Sequence, residues 1–275
     1  MPGWGRGLSA LCAALAFGSA HAATQLPPTV DALAAAMQGH RVVFLGEVHD
    51  NAAQHALRVA ALRKLVEQGA RPAIAFEQFD RERQDAIDRA RKERPKDADY
   101  LIAEAKGSPS WQWELYKPFV ALALEYDLPI VAANLSRSDA MKLATRSPPP
   151  RPDVPREFVR AHEDAIAQGH CNLLPREALP GMARAQIARD RALASAIAPY
   201  AARGVVLLTG NGHARKDIGV PHWLTPEART AALSIAFVER GGDEPVADFD
   251  AYVVTEAAPR PDQCEALRER MKSPR

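Results

Sequence analysis

The feature that most restricts the fold is an alternation of short apolar runs with longer helical patterns. The runs are rich in β-branched residues and apolar on both faces, as expected for strands buried in a parallel sheet. They fall at 41–47, 72–79, 130–135, 204–209, 233–238 and 251–255. The segment 52–68 carries an apolar stripe at helical spacing, and Gly69 ends it. Strand–helix alternation of this kind predicts an α/β fold with a mostly parallel sheet and helices on both faces.

Two parts of the pattern depart from simple alternation. The last two runs are joined across Gly241-Gly242, and an antiparallel hairpin at the sheet edge would fit this short connection. The segments at about 81–127 and 136–202 are longer than a crossover needs, and we expect them to form an inserted helical lobe. Residues 23–40 precede the first predicted strand, and we expect them to contain a short helix around Val30 to Met37. We expect residues 23–275 to form a single domain.

The amino terminus predicts export. Leu8 to Gly18 is an apolar run too short to span a bilayer as a helix, and Ala20-His21-Ala22 has the small-x-small pattern of a cleavage site. Residues 1–22 are therefore interpreted as a signal peptide, which places the mature protein in the periplasm or cell envelope. An uncleaved anchor is the alternative, although no stop-transfer pattern follows.

Two cysteines remain after this cleavage, Cys171 and Cys264. A pair of cysteines in an oxidising compartment is more often a structural disulfide than two free thiols. The sequence alone leaves open that they are two distant thiols.

Charge excludes one class of function. Lys and Arg total 35 against 34 Asp and Glu, for a net charge of +1, and aromatic residues make up only 6% of the chain. A nucleic-acid-binding protein would need a clearly basic face. We therefore expect no nucleic-acid partner.

Polar residues cluster where the predicted strands end. They are Glu47, His49, Glu77, Asn134, Asn211 and His213. The carboxyl ends of parallel strands share one rim, and ligands of such folds bind there. Taken singly, each residue has a structural alternative: Glu47 could stabilise the following helix, and Glu77 could pair with an arginine. Together, two Glu and two His near buried strand ends favour a functional pocket, because buried charges are costly without a partner or a task.

Six segments, in the same order along the chain, make it similar to a known family. They read FLGEVHDNAAQH, FEQFDRERQ, WQWELYKPF, VAANLSR, GHCNLLP with LPGMARAQIARD, and TGNGHARKDIGVPHWL. The chain from about Arg41 to Cys264 resembles the ChaN-type haem-uptake proteins, which share a superfamily with Tiki-type proteases and erythromycin-esterase-like enzymes. Family members are often lipoproteins, but Leu11 precedes Cys12 here where a lipid-attachment site has a small residue.

The resemblance implies haem binding, export, and an α/β sheet with a helical lobe. The function it favours is non-covalent binding of haem for haem and iron uptake. An outer-membrane haem receptor and a second copy of the chain are the partners expected for such a protein. The residues expected to bind the haem are Glu47, His49, Glu77, Tyr116, Asn134, Asn211 and His213. No CxxCH motif is present, so covalent attachment is not expected.

The axial ligand is left open by the sequence. Tyr116 is favoured because it lies among aromatic residues that could flank a flat ring, although it could equally be a packing residue. His170, beside Cys171, is a second candidate. His49 and His213 at the sheet rim are a third.

A hydrolase is the competing hypothesis. In it, Glu47, His49, Glu77 and His213 would hold a divalent metal or act as a Glu–His general base in an esterase or peptidase. The HExxH zinc motif and the G-x-S-x-G nucleophile elbow are both absent from the sequence. An interaction protein without a buried titratable cluster is the third and least favoured class.

Overall fold

The computed structural model describes residues 22–147, 153–242 and 244–272. Within them the chain forms a seven-stranded sheet. The strands are β1 (Thr24–Leu26), β2 (Val42–Leu45), β3 (Ala73–Asp80), β4 (Ile130–Asn134), β5 (Val205–Leu208), β6 (Ala232–Glu239) and β7 (Ala251–Thr255). Their order across the sheet is β1-β7-β6-β2-β5-β3-β4, and every pair is parallel. The predicted α/β fold class is confirmed.

The central strands are buried on both faces, as their unbroken apolar sequences predict. All four residues of β2 and all four of β5 are buried, and Val42 to Leu45 pair in register with Val205 to Leu208. A strand that is buried on both sides needs apolar side chains pointing in both directions. The unbroken apolar sequences of β2 and β5 are therefore explained by the helices that cover both faces of the sheet.

The described part of the chain contains eleven α-helices, ten between strands and one after β7. They are α1 (Val30–Met37), α2 (Ala52–Glu67), α3 (Gln84–Glu93), α4 (Ala98–Glu104), α5 (Trp113–Glu125), α6 (Arg137–Thr145), α7 (Arg156–Gly169), α8 (Leu179–Ile197), α9 (Asn211–Ala214), α10 (Pro226–Thr230) and α11 (Gln263–Lys272). Helix α1 spans the range predicted from sequence. Helix α2 begins after Asn51, whose side chain accepts a hydrogen bond from the Gln54 backbone amide, as a helix-capping residue does.

The two faces of the sheet have separate cores. Helices α1 to α5 contribute to the core that packs on Val43, Leu45 and Phe76, whereas α8 contributes to the core around Phe44 and Ala75. Helices α6 and α7, from the expected insertion at 136–202, pack on α8 through two smaller apolar clusters, and we call these three helices the helical lobe. Helices α3 to α5, from the expected insertion at 81–127, pack instead in the core on one face of the sheet. The single-domain boundaries remain a prediction. No helix among the described residues has the length and apolar character needed to cross a membrane.

The expected antiparallel hairpin at the end of the sheet is wrong. Strands β6 and β7 pair in parallel, with Ile235 opposite Ala251. After Gly241 the chain returns along β6, the Phe249 side chain is buried in the core, and the Asp250 carboxylate accepts a hydrogen bond from the Ser234 amide (2.8 Å). The chain has therefore returned to the amino end of β6 when β7 begins, so the two strands run in the same direction. Residues 23–40 also contain an unpredicted edge strand, the three-residue β1, which pairs with β7.

The two cysteines form the predicted disulfide. Cys171, just beyond α7, is bonded to Cys264 in α11, with Cα atoms 5.6 Å apart. Helix α11 contains no buried residue. The disulfide therefore attaches a helix that has little packing of its own to the helical lobe.

The signal-peptide prediction falls almost wholly on residues 1–21, which lie outside the described residues. Cleavage after Ala22 and export therefore stay predictions.

Candidate functional site

The polar residues that end the strands meet at one edge of the sheet. The topology places β2, β5, β3 and β4 side by side in parallel, so their carboxyl ends form a common rim. Glu47 and His49 follow β2, Glu77 lies near the end of β3, Asn134 ends β4, and His213 lies in α9 after β5. The structure thus brings the predicted set together from four strands.

Glu47 is the centre of the first half of this rim. Its side chain is fully buried, and its Oε1 atom lies 2.8 Å from His49 Nδ1 and accepts a hydrogen bond from the Tyr116 hydroxyl. Its Oε2 atom forms an ion pair with Arg58, and His55 Nε2 lies 3.8 Å away. The Glu47 carboxylate is therefore a buried acceptor shared by three side chains, those of His49, Arg58 and Tyr116, while His55 Nε2 lies 3.1 Å from the His49 carbonyl oxygen.

The charges around Glu47 determine which of its partners ionise. Burial raises the pKa of Glu47, but the Arg58 charge and the His49 hydrogen bond outweigh it and hold the pKa at about 2. Burial and the Glu47 carboxylate raise the pKa of Tyr116 far above its usual range. Burial and the Arg58 charge lower the pKa of His55 to about 4. At neutral pH the site holds a carboxylate, a guanidinium, a neutral phenol and a neutral His55.

Among the residues around Glu47, His49 is exposed to solvent. Its side chain is 49% exposed, and its ring stands edge-on to Trp111, with ring centroids 5.0 Å apart. Burial lowers its pKa, but the hydrogen bond to Glu47 and the Glu77 charge raise it on balance. A Cβ atom on Gly210 would lie 2.8 Å from the His49 ring, so a glycine is needed at that position.

The second half of the rim is centred on His213. Its Nδ1 lies 2.6 Å from Asp190 of α8, and its Nε2 lies 3.6 Å from Glu77. Burial lowers the pKa of His213, but the Asp190 and Glu77 charges raise it to about 9. Glu77 also accepts hydrogen bonds from the Thr209 hydroxyl (2.7 Å) and the Gly210 amide (2.9 Å). His213 is thus an imidazolium held between two carboxylates.

The side chains of Asn134 and Asn211 form hydrogen bonds with backbone groups of neighbouring strands. The Asn134 amide donates to the Glu77 carbonyl (2.8 Å). The Asn211 side chain donates to the Phe237 carbonyl (2.7 Å) and accepts from the Phe237 amide (3.1 Å), which fixes β6 beside the rim. Both residues belong to the rim as predicted, and their contacts give them a structural role.

A cavity of about 540 Å³ opens at the rim next to His213. The loop after β2 contributes Val48, and the opposite wall is formed by His162 and Ile166 of α7 and by His170, which directly follows this helix. The segment before α11 contributes Arg260 from the other side. Because three histidines line this cavity, counting His213, it offers imidazole nitrogens to a ligand together with apolar wall.

Three further polar residues that build the rim, His55, Arg58 and Asp190, were not predicted from the sequence. On α2, His55 and Arg58 continue the buried stripe of Leu62 and Leu65 at helical spacing. On α8, Asp190 lies on a buried stripe with Ile187 and Ala194. A charged residue on the buried stripe of a helix was the available signal, because such a charge needs a partner.

The residues that the hydrolase hypothesis requires, Glu47, His49, Glu77 and His213, lie close together at the rim. A metal-dependent hydrolase would also need side chains arranged to bind the metal ion. Within 22–147, 153–242 and 244–272, no group of three or more His, Cys, Asp or Glu side chains is placed to hold a metal ion. A Glu47–His49 general base remains a prediction that nothing in the geometry specifically favours.

Comparison with known proteins gives the chain a family. The family model described as haem-binding uptake, Tiki superfamily, ChaN matches residues 33–224, more than half of the chain. No curated protein matches significantly.

Solved structures share the fold. ChaN of Campylobacter jejuni, described as binding heme cofacially, is 23% identical, with 80% of this chain and 89% of that chain covered and a TM-score of 0.68. The type III effector HopBA1 is 16% identical, with 88% and 100% covered and a TM-score of 0.50. At these identities the structures support the fold alone. On the strength of the family match, the chain belongs to the ChaN family of haem-binding uptake proteins in the Tiki superfamily.

Proposed function

We propose that this chain binds one haem non-covalently in the cavity at the carboxyl ends of the sheet strands, and that it serves haem and iron uptake after export. The observation that carries the proposal is the cavity lined by His162, His170 and His213 in a chain of this family. The haem is cargo in this function.

The cavity has the properties that a haem site requires. Its volume of about 540 Å³ lies within the range of roughly 300–1,000 Å³ that is usual for small-molecule pockets. Ile166, Ile218 and Val48 supply apolar wall for a porphyrin, and imidazole nitrogens are available to iron. Three glutamine side chains, Gln168, Gln186 and Gln263, line the same cavity and could donate hydrogen bonds to propionates.

The arginines that line the cavity already form ion pairs, so they are less available than the glutamines to bind a propionate. Arg260 is paired with Glu239 and Asp50, and Arg215 is paired with Asp217 and Asp248. A propionate that binds either arginine must compete with a carboxylate already in place. The neutral amides therefore fit the propionates better than the cations do.

The predicted binding residues divide between the cavity and its supports. His213 lines the cavity directly, while Glu77 holds it from behind. Glu47 and Tyr116 are buried on the opposite side of the rim, with His49 at its surface. We propose that these three set the shape and charge of the rim, and that Asn134 and Asn211 fix its backbone.

Hemin titration of the oxidised protein spanning residues 23–275 tests the proposal. We expect the Soret band to shift from that of free hemin and to saturate at one haem per chain. A larger side chain in the cavity wall, introduced by Ile166→Trp, would fill the cavity and should weaken hemin binding without loss of helical circular dichroism. Failure of the unaltered protein to bind hemin at micromolar concentration would refute the proposed function.

Partners are part of the same proposal. The relative from Campylobacter jejuni binds heme cofacially, and we propose that two copies of this chain associate when loaded and receive haem from an outer-membrane receptor. Light scattering with and without hemin checks the association. A monomer in both states would rule out the paired form while leaving haem binding intact.

A further inference from the structure

We propose that the helical lobe carries a second binding site, a long apolar cavity that takes a fatty acid with its carboxylate on Arg184. The cavity lies over α8, where α6 and α7 diverge, and we call it the lobe cavity. No residue that lines it also lines the cavity at the rim. The inference therefore stands apart from the proposed haem site and does not depend on it.

The lobe cavity exists because α6 and α7 pack on α8 through separate clusters. One cluster contains Ala140 of α6 and Ala192 of α8, and the other contains Phe158 of α7 and Ile187 of α8. Members of both clusters line a space of about 630 Å³, so the space separates α6 from α7. This volume lies within the range of roughly 300–1,000 Å³ that is usual for small-molecule pockets.

The shape of the lobe cavity fits an extended chain. Its floor is a stripe of α8 in which lining residues recur every three or four positions from Pro180 to Ser195. At a rise of 1.5 Å per residue this stripe is about 22 Å long. A volume of about 630 Å³ spread over that length forms a narrow trough. A long acyl chain has this form, whereas a compact or broad flat molecule does not.

The wall of the lobe cavity is mostly apolar. Leu143 lines it from α6, Val159 from α7 and Val154 from the segment before α7, and all three side chains are only partly buried. Apolar side chains that line a cavity without being fully covered gain free energy when a ligand removes them from water. An alkyl chain supplies that cover without needing hydrogen-bond partners along its length.

Arg184 supplies a cation that is held in place but not neutralised. Its Nε and Nη2 atoms donate to the Leu143 and Ala144 carbonyls (3.3 and 2.8 Å), which fixes the guanidinium at the end of α6. Its Nη1 group donates to no acceptor, and no carboxylate pairs with Arg184, among the residues that the structure describes. A guanidinium binds a carboxylate through charge-assisted hydrogen bonds. Arg184 therefore offers donors to a ligand carboxylate.

The other charged groups of the lining leave the place at Arg184 for the headgroup. Arg191 forms a bidentate ion pair with Asp153 (2.7 and 2.9 Å), so these two charges compensate each other. Arg81 has only a long contact with Glu82 (3.8 Å). Glu163 contributes a carboxylate from α7, and it disfavours an anion on that side. Three arginines against two carboxylates give the lining a positive balance, which suits a ligand with one negative charge.

Titration with cis-parinarate, a fatty acid that fluoresces in apolar surroundings, tests the site in the delipidated protein spanning residues 23–275. We expect saturable binding of one parinarate per chain at micromolar concentration. Ala188→Trp places a large ring on the floor of the lobe cavity and should abolish this binding while hemin binding and helical circular dichroism stay unchanged. Ile166→Trp in the rim cavity is the matched control, and it should leave parinarate binding unchanged.

The headgroup has its own arm of the experiment. The methyl ester of parinarate keeps the chain but carries no charge, so the wild type should bind it about tenfold more weakly than the acid, as expected when a hydrogen bond to a charged group is lost. Arg184→Gln should bind acid and ester equally. Arg176→Gln is the control, because Arg176 is exposed and does not line the lobe cavity. It should keep the preference for the acid.

Four outcomes would overturn the inference, and they differ from a failure of the haem proposal. No parinarate binding by the wild type would remove the lobe site and leave haem binding untouched. Parinarate binding that survives Ala188→Trp would place the fatty acid elsewhere. Equal affinity of the wild type for acid and ester would remove the role of Arg184. Displacement of parinarate by one equivalent of hemin would show that the lobe cavity takes haem, which would overturn both this inference and the rim location of the haem.

Discussion

At the scale of single residues, the rim is a set of buried charges that compensate one another. The Glu47 carboxylate and the Arg58 guanidinium are both fully buried and in contact, and Arg58 also donates to the Leu45 carbonyl (2.8 Å). Such a pair offers little net stability compared with apolar residues, but removal of one member leaves the other unpaired. Glu47 therefore both orients the side chains of the site and neutralises the buried Arg58 charge on which the stability of the fold depends.

This coupling predicts the effect of Glu47→Gln. The neutral amide would leave the Arg58 charge buried without a counter-ion, and we expect the free energy of unfolding to fall by about 3–5 kcal/mol. Urea denaturation measures the change. The double variant Glu47→Leu with Arg58→Met removes both charges and should recover much of the loss. Equal instability of the single and double variants would show that the ion pair is not the cause.

The charge on His213 predicts how stability depends on pH in the alkaline range. Its folded pKa is raised to about 9, above the usual 6.5, because of Asp190 and Glu77. Burial raises the pKa of Asp190 to about 6, but at pH 7 to 9 this residue is ionised and supports the imidazolium. The stabilisation from His213 is thus fully present below about pH 6.5 and is lost as pH rises through about 9.

Thermal unfolding between pH 6 and 10 checks this prediction. The melting temperature of the wild type should fall across the upper part of this interval. His213→Gln, which cannot ionise, should be less stable at pH 6 and should show a smaller decline with pH. A wild type and a variant with parallel profiles would show that His213 does not carry the change.

At the scale of the elements, helices α2 and α8 bring the missing charges to the rim. Each has an apolar stripe that packs on one face of the sheet, and each stripe contains a charged or polar residue near the strand ends. Arg58 reaches Glu47 from one face, and Asp190 reaches His213 from the other. The rim is therefore assembled between two helices that approach from opposite sides of the sheet.

Helix α11 depends on one covalent bond, and this predicts the result of removing it. Arg260 anchors the segment before α11 through Glu239 and Asp50, but α11 itself has no buried residue. In Cys264→Ser we expect α11 to detach while the rest of the fold persists. The free energy of unfolding should drop by about 2–4 kcal/mol, as is usual for loss of a native disulfide.

Limited trypsin digestion distinguishes local from global effects. Cleavage after Arg268 and Arg270 should be rapid in Cys264→Ser and slow in oxidised wild type, while cleavage within the sheet should stay slow in both. Ser110→Ala, which changes an exposed residue far along the chain from the disulfide, is the control. Equal protection of α11 in the variant and wild type would show that noncovalent contacts hold the helix.

At the scale of the whole molecule, the parallel sheet collects side chains from distant segments onto one rim. The strand order places β5 between β2 and β3, so residues 47, 77 and 213 become neighbours. The lobe of α6 to α8 then covers this rim and adds the α7 wall of the cavity. A ligand bound there would contact residues from the loop after β2, from α7 and from the segment before α11, which are far apart in the sequence.

Export is the prediction that concerns the whole chain. If residues 1–22 are a cleaved signal peptide, the mature protein begins at Ala23 and its disulfide forms in an oxidising compartment. Mass spectrometry of the protein purified from the periplasm of a bacterial host should give the mass expected from Ala23. Detection of an intact amino terminus, Met1 included, in a membrane fraction would instead support an uncleaved anchor.

The sequence by itself determined the strands, the direction of most of the sheet, and the position of the rim. Short, unbroken apolar runs rich in β-branched residues indicate strands covered on both faces, and parallel strands place Glu47, Glu77, Asn134 and His213 at the same edge. Tertiary structure alone decided what those residues contact. The partnership of Glu47 with Arg58, the return of the chain at Phe249 and the place of His170 in the cavity wall all depend on how separate elements pack. Local periodicity records which face of an element is buried, but it does not record which other element covers that face.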